Sequence, residues 1–133
     1  MIFRNMEFYE IDNKKDFDRI VNEHQISFIF IYAKWCVPCQ EFKPKLEEYI
    51  KTVNYPNSKI CFLQMDYDII KPQLDLFNIF QTTNLPTFYS YHLGKIDKPI
   101  ISVDLIFIKP FLEYKMNDIE RINRMGMNIT DNF

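Results

Sequence analysis

Glycine is nearly missing from this chain, with two residues in 133. No Gly/Ser linker, charge block, low-complexity tract or repeat divides it. That excludes a string of loosely tethered modules, and the length fits a single domain over 1–133. Cysteine is scarce as well. Three thiols cannot build the disulfide framework of a small secreted domain, and an odd number cannot pair off within one chain. No apolar run approaches the ~20 residues that a bilayer demands. Residues 1–7 show no basic segment followed by an apolar stretch of the kind a secretory leader carries. The expectation is a cytoplasmic location, reducing and away from membranes. Neither sign of charge dominates: sixteen Lys and Arg against eighteen Asp and Glu leave −2, which disfavours nucleic acid or an anionic surface as partner.

What is abundant is apolar. The chain is 47% hydrophobic and 17% aromatic, with thirteen Phe and eight Tyr, far from the composition of a disordered chain and enough for a packed core. A strand is expected over 7–11, then a helix capped by Asp12 or Asn13 with Phe17, Ile20, Val21 and His24 at helical spacing. The unbroken run over 27–33 reads as a central strand covered on both faces. A second helix is expected over 40–53, kinked by Pro44, followed by a turn over 54–58. Next come a strand over 60–65, a short helix over 72–80, and strands over 87–92 and 100–103 joined as a hairpin around Gly94. A last helix opens at Asn117 and closes at Gly126, while 104–115 resists assignment. The order βαβαβαββα implies an α/β fold with a central, mixed, mostly parallel sheet flanked by helices.

Chemistry concentrates where the central strand gives way to the second helix, at Trp35-Cys36-Val37-Pro38-Cys39. A helix N-terminus carries roughly half a positive charge and unpaired N–H groups, so a thiol placed there loses its proton below the free value of ~8.5. Cys36 is the nucleophile on this reading. Cys39, one turn on, can attack a mixed disulfide formed at Cys36, releasing the substrate and leaving a Cys36–Cys39 bond. Pro38 supplies a fixed φ where no N–H is needed, and Trp35 a flat apolar surface.

These residues, with Ala33 and Lys34 after a hydrophobic strand, Pro44 five residues beyond the second cysteine, and Leu85-Pro86-Thr87 ahead of a strand, resemble the thioredoxin family. The resemblance covers about 7–103 and implies a thioredoxin-like fold and a thiol-disulfide oxidoreductase acting on protein disulfides, a reductase before an oxidase or isomerase. It makes Cys36 the attacking and Cys39 the resolving thiol. Trp35, Val37, Pro38, Leu85, Pro86 and Thr87 shape the site, with Pro86 in the family's cis-proline loop facing the cysteines. It implies no bound cofactor beyond the redox-active disulfide, and electrons from a thioredoxin reductase using NADPH. Many members carry a buried acid six residues before the first cysteine and a lysine on the next strand to manage the resolving thiol's proton. Here those positions hold Phe30 and Phe62. Val37 also stands where thioredoxins carry glycine, and the segments 80–85 and 104–115 look longer than in short members.

Blander roles suit the remaining candidates. A structural zinc needs four Cys or His ligands with paired spacing, and Cys61, His24 and His92 are isolated, so no metal site is expected. Cys61 lies in an apolar strand as a small hydrophobe, and His24 packs at or ends its helix. Lys34, Lys43 and Lys45 read first as a solvated face, the alternative being that each adds a little positive field to Cys36. Asn128-Ile129-Thr130 matches a glycosylation pattern without a secretory context. The alternative function is a non-catalytic thioredoxin-fold interaction module, motivated by the missing acid.

Overall fold

The computed structural model describes residues 4–55, 59–81, 84–92, 94–102 and 104–125. Contacts gather the chain into two compact units, 1–103 and 104–133. In the first, β1 (Arg4–Asn5) pairs antiparallel with β4 (Asn54–Tyr55). The main sheet holds β2 (Glu7–Glu10), β3 (Ile26–Tyr32), β5 (Ile60–Asp66), β6 (Thr87–His92) and β7 (Lys95–Ile96), in the order β2-β5-β3-β6-β7. The first three run parallel to one another, and β6 and β7 are antiparallel to their neighbours. The helices are α1 (Lys14–Asn22), α2 (Val37–Thr52), α3 (Tyr67–Ile70) and α4 (Leu74–Phe80).

All seven residues of β3 are buried, as an uninterrupted apolar run requires in a sheet covered on both faces. Alternation sorts them. Phe28 and Phe30 join an aromatic layer in which Phe28 stacks on Phe88, Phe88 lies against Phe62, and Phe30 meets Phe42 of α2 edge-on. Ile29 and Ile31 belong to an opposite core with Leu63, Met65, Tyr89 and the buried side chains of α1 and α4, Phe17 and Phe80 among them. Asn13 starts α1 by accepting from Asp16 N at 2.8 Å, and Asp66 starts α3 through Asp68 N at 2.9 Å.

The expected order holds once three short pieces, β1, β4 and α3, are added. Several bounds change. α2 begins at Val37 rather than at 40, because Cys36 caps it and Pro38 fits its first turn. The turn expected over 54–58 opens instead with β4, and 56–58 lie outside the described residues. The hairpin partner of β6 is Lys95–Ile96 and not 100–103: Gly94, at φ 81°, turns the chain at once, and Ile100 makes only an isolated bridge to Phe88. Pro99, just before it, has no N–H to extend a ladder.

The second unit contains α5 (Leu105–Arg124), which absorbs the unassigned segment and begins well before Asn117. Pro110 inside it interrupts the helical pattern in the sequence. Asp104 accepts from Ile106 N at 3.0 Å at its start, and Ile108, Leu112, Met116 and Ile119 form its buried stripe. Gly126 and 128–130 lie outside the described residues.

Candidate functional site

After β3 the chain surfaces at Lys34 and Trp35 and turns into α2, with Cys36 N donating to Ala33 O at 3.1 Å. Cys36 has an extended backbone, φ −83° and ψ 107°, and is the N-cap of α2. Its sulfur accepts from Cys39 N at 3.3 Å, and its carbonyl accepts from Gln40 N at 3.0 Å. The electrostatic argument for a stabilised thiolate thus has a specific N–H behind it. Cys36 and Cys39 are joined as a disulfide with their Cα atoms 5.2 Å apart. Cys36 keeps 6% of its surface and Cys39 1%, so an incoming group meets Cys36 first. Trp35 and Val37 are 63% and 60% exposed, and Pro38 is exposed beside them, giving the sulfur an apolar rim.

The opposite wall comes from far along the chain. Leu85 O lies 3.9 Å from Cys36 Sγ, and the Leu85–Pro86 peptide bond is cis. Pro86 and Thr87 are buried, with the Thr87 hydroxyl donating to Asn84 O. The eight residues singled out in the sequence therefore fall in two segments, 35–39 and 85–87, that meet at Cys36.

The other candidates lie elsewhere. Cys61 is a fully buried free thiol in the core around Ile29 and Ile31, its Sγ 3.2 Å from Ser27 Oγ. Burial pushes its pKa up to about 12 against the lowering effect of Ser27. His24 Nδ1 donates to Ile20 O at 2.6 Å, closing α1, and His92 ends β6. Lys34 and Lys45 are exposed. Among the described residues no group of three His, Cys, Asp or Glu is arranged to hold a metal ion, and no helix is long and apolar enough to cross a membrane. Phe30 and Phe62 are buried in the aromatic layer, Phe30 against Phe42 and Tyr32, Phe62 against Phe8 and Phe88.

One group escaped sequence reading. Lys43 Nζ sits 4.2 Å from the ring centre of Tyr32 and 3.9 Å from Glu47 Oε1, while the Tyr32 hydroxyl donates to Glu10 Oε1 at 2.5 Å. Burial first, and then Glu10, push the Tyr32 phenol well above its usual range. The group joins β2, β3 and α2, and no local spacing announces it.

A disulfide held across the first turn of a helix, at the end of a central strand and against a cis X-Pro bond, defines a thiol-disulfide oxidoreductase fold and site. The Thioredoxin family model matches residues 8–104. Thioredoxin 1 of Plasmodium falciparum is 26% identical over 103 residues, which cover 77% of this chain and 92% of that protein. A solved Plasmodium falciparum thioredoxin superposes with a TM-score of 0.66 at 24% identity, covering 80% of this chain and 97% of that one. Thioredoxin f2, solved in complex with ferredoxin:thioredoxin reductase, superposes with a TM-score of 0.65 at 19% identity, covering 82% and 94%. The chain belongs to the thioredoxin family.

Proposed function

We propose that this protein reduces disulfides in protein substrates through Cys36 and Cys39. The carrying observation is the placement of Cys36 as the sulfur cap of α2, more exposed than its partner and accepting from Cys39 N. In the reduced form the Cys36 thiolate attacks one sulfur of a substrate disulfide. That S–S bond breaks, the other substrate sulfur leaves as a thiolate, and a Cys36-substrate disulfide forms. Cys39, as thiolate, then attacks Cys36 Sγ. The second substrate thiolate departs, the Cys36–Cys39 disulfide forms, and two electrons have passed to the substrate. Trp35, Val37 and Pro38 form one side of the docking surface, and Leu85, Pro86 and Thr87 the other.

Recharging takes two electrons from an external reductase. A thioredoxin reductase drawing on NADPH is the proposed source, supported by family membership; the neighbour solved with ferredoxin:thioredoxin reductase supports only a reductase partner in general. A reducing cytoplasm suits such a cycle. Because Phe30 and Phe62 line the aromatic layer, the Cys39 proton passes to water or a more distant base, which makes resolution the slow step.

The test is a pair of measurements. Insulin reduction with a dithiol as electron source should require Cys36, and Cys39→Ser should accumulate a covalent substrate adduct; absence of both ends the proposal. The second reading, a non-catalytic interaction module, rests on the same two phenylalanines. It requires that a Cys36→Ser, Cys39→Ser double variant keep full biological function, and loss of that function removes it.

A further inference from the structure

On α2, Lys43 follows the resolving Cys39 by four residues, a spacing that sets two side chains on one face with Cβ atoms about 5–6 Å apart. Long side chains on a helix lean back toward its N-terminus, so Lys43 reaches over the turn that carries Cys39. Its contact with β3 agrees. Lys43 Nζ lies 4.2 Å from the ring centre of Tyr32, and Tyr32 is the last residue of β3, shortly before the chain enters α2 at Cys36.

The charge on Lys43 is held without being cancelled. Glu47 Oε1 stands 3.9 Å from Nζ, beyond hydrogen-bond length, and the same oxygen accepts from Gln64 Nε2 at 3.5 Å. The face of the Tyr32 ring fixes the ammonium on another side. Burial and then Glu10 hold the Tyr32 phenol well above its usual range, so the ring stays neutral wherever the thiols titrate. Three carboxylates bear on that ring: Glu10 from β2, Asp66 from β5 and Glu47 from α2. Lys43 is the cation set against both Tyr32 and Glu47. Without it this corner would hold three carboxylates and no counter-charge, a setting that disfavours a further anion.

We propose that Lys43 serves the resolving step: its ammonium, held on the Tyr32 ring, stabilises the Cys39 thiolate that attacks the mixed disulfide at Cys36. Lys43 touches no substrate and acts through Cys39. The proton of Cys39 still leaves to water, and the nearby charge makes its departure less costly. This inference rests on the dithiol reading above and names a residue that sets the pace of its second half.

Dithiodipyridine, uncharged near neutral pH, separates the two steps in stopped flow with the reduced protein in excess. The Cys36 thiolate attacks one reagent sulfur, the S–S bond breaks, and the first thiopyridone leaves with the electron pair at a rate set by protein concentration. Cys39, its proton given to water, then attacks Cys36 Sγ; the Cys36–Cys39 bond forms and the second thiopyridone leaves at a rate independent of concentration. Lys43→Met should slow the second release about fivefold at pH 7, the range of a partly exposed charge pair, and move its pH profile upward, with the native rate regained in alkali. The first release should change less, since Cys36 lies a further turn away. Lys43→Arg should keep the native profile. Lys45→Met, which removes the same charge from another, exposed face of α2, should leave it in place. An unshifted profile in Lys43→Met, a loss of rate equal at every pH, an equal shift in Lys45→Met, or a shift that Lys43→Arg shares would each overturn the role of Lys43. If the native protein releases no second thiopyridone, or still releases it after Cys39→Ser, the dithiol reading falls instead, and this role with it.

Discussion

Cys36 and Cys61 are both buried, and only a few per cent of exposed surface separates them. Their chemistry differs because of what surrounds each sulfur. Around Cys61, the second residue of β5, the strand's amides face neighbouring strands, the side chain sits in the apolar core with the Ser27 hydroxyl beside it, and burial raises the pKa to about 12. Cys36 stands one residue before a helix whose first N–H groups have no intrahelical partner, and its sulfur takes the one from Cys39. On the proposed function, what separates the reactive thiol from the inert one is the supply of unpaired N–H groups aimed at it, more than the area open to water.

The largest expected effect tests that contrast directly. Cys36→Ser should lower disulfide reduction by at least about 10³-fold, as loss of a nucleophile does, while Cys61→Ala leaves turnover unchanged; insulin reduction by the two variants decides it. In a labelling experiment on the reduced native protein at pH 7, iodoacetamide should modify Cys36 and spare Cys61, which becomes reactive only in guanidinium. Labelling of Cys61 at a comparable rate in the native state would erase the distinction.

Removing aromatic mass next to the site should show in stability. Phe30→Ala is expected to cost about 3–5 kcal/mol in denaturant unfolding. Phe30→Asp should destabilise too, by burying a carboxyl, yet should hasten release of substrate from the Cys36 adduct near neutral pH if proton removal from Cys39 limits the cycle.

A smaller effect follows from the raised thiol. The fold holds Cys61 neutral up to about 12, while the unfolded chain gives up that proton near the ordinary 9.0. The resulting stabilisation is complete below pH 9 and is lost as pH rises through the folded value. Tyr9, raised to about 12 chiefly by its hydrogen bond to Glu7 and then by burial, acts in the same direction. Urea midpoints should therefore fall between pH 9 and 12, and less steeply in Cys61→Ala. Last comes an ordinary cap: Asn13→Ala should cost about 1 kcal/mol without touching thiol reactivity, since it opens α1 and not α2.

Legibility in the sequence followed the range of the interactions. The 35–39 motif was readable because strand end, cap and first helical turn are contiguous, and β3 because an apolar run of its length has few other uses. The hairpin was assigned to the wrong partner because β7 has two residues, too few for any period to register. α5 was truncated in the reading because Asn117 and Glu120 look like a helix cap, whereas the helix starts twelve residues earlier at Leu105, just after Asp104, whose carboxylate accepts from Ile106 N. The Asp97–Ser90 contact drew no attention, since nothing around Asp97 in sequence hints at Ser90.

The order of residues alone determined which sulfurs are reactive candidates, where the principal strands and helices run, and that an acid is absent at 30. These depend on neighbours within a turn or a strand, where covalent geometry leaves few alternatives. Only the tertiary structure decided that Leu85 would face Cys36 across 49 positions of chain, and that Tyr32, Glu10 and Lys43 would meet. Each of those contacts depends on strand register and on how helices seat against the sheet, and both are settled by the packing of the whole core.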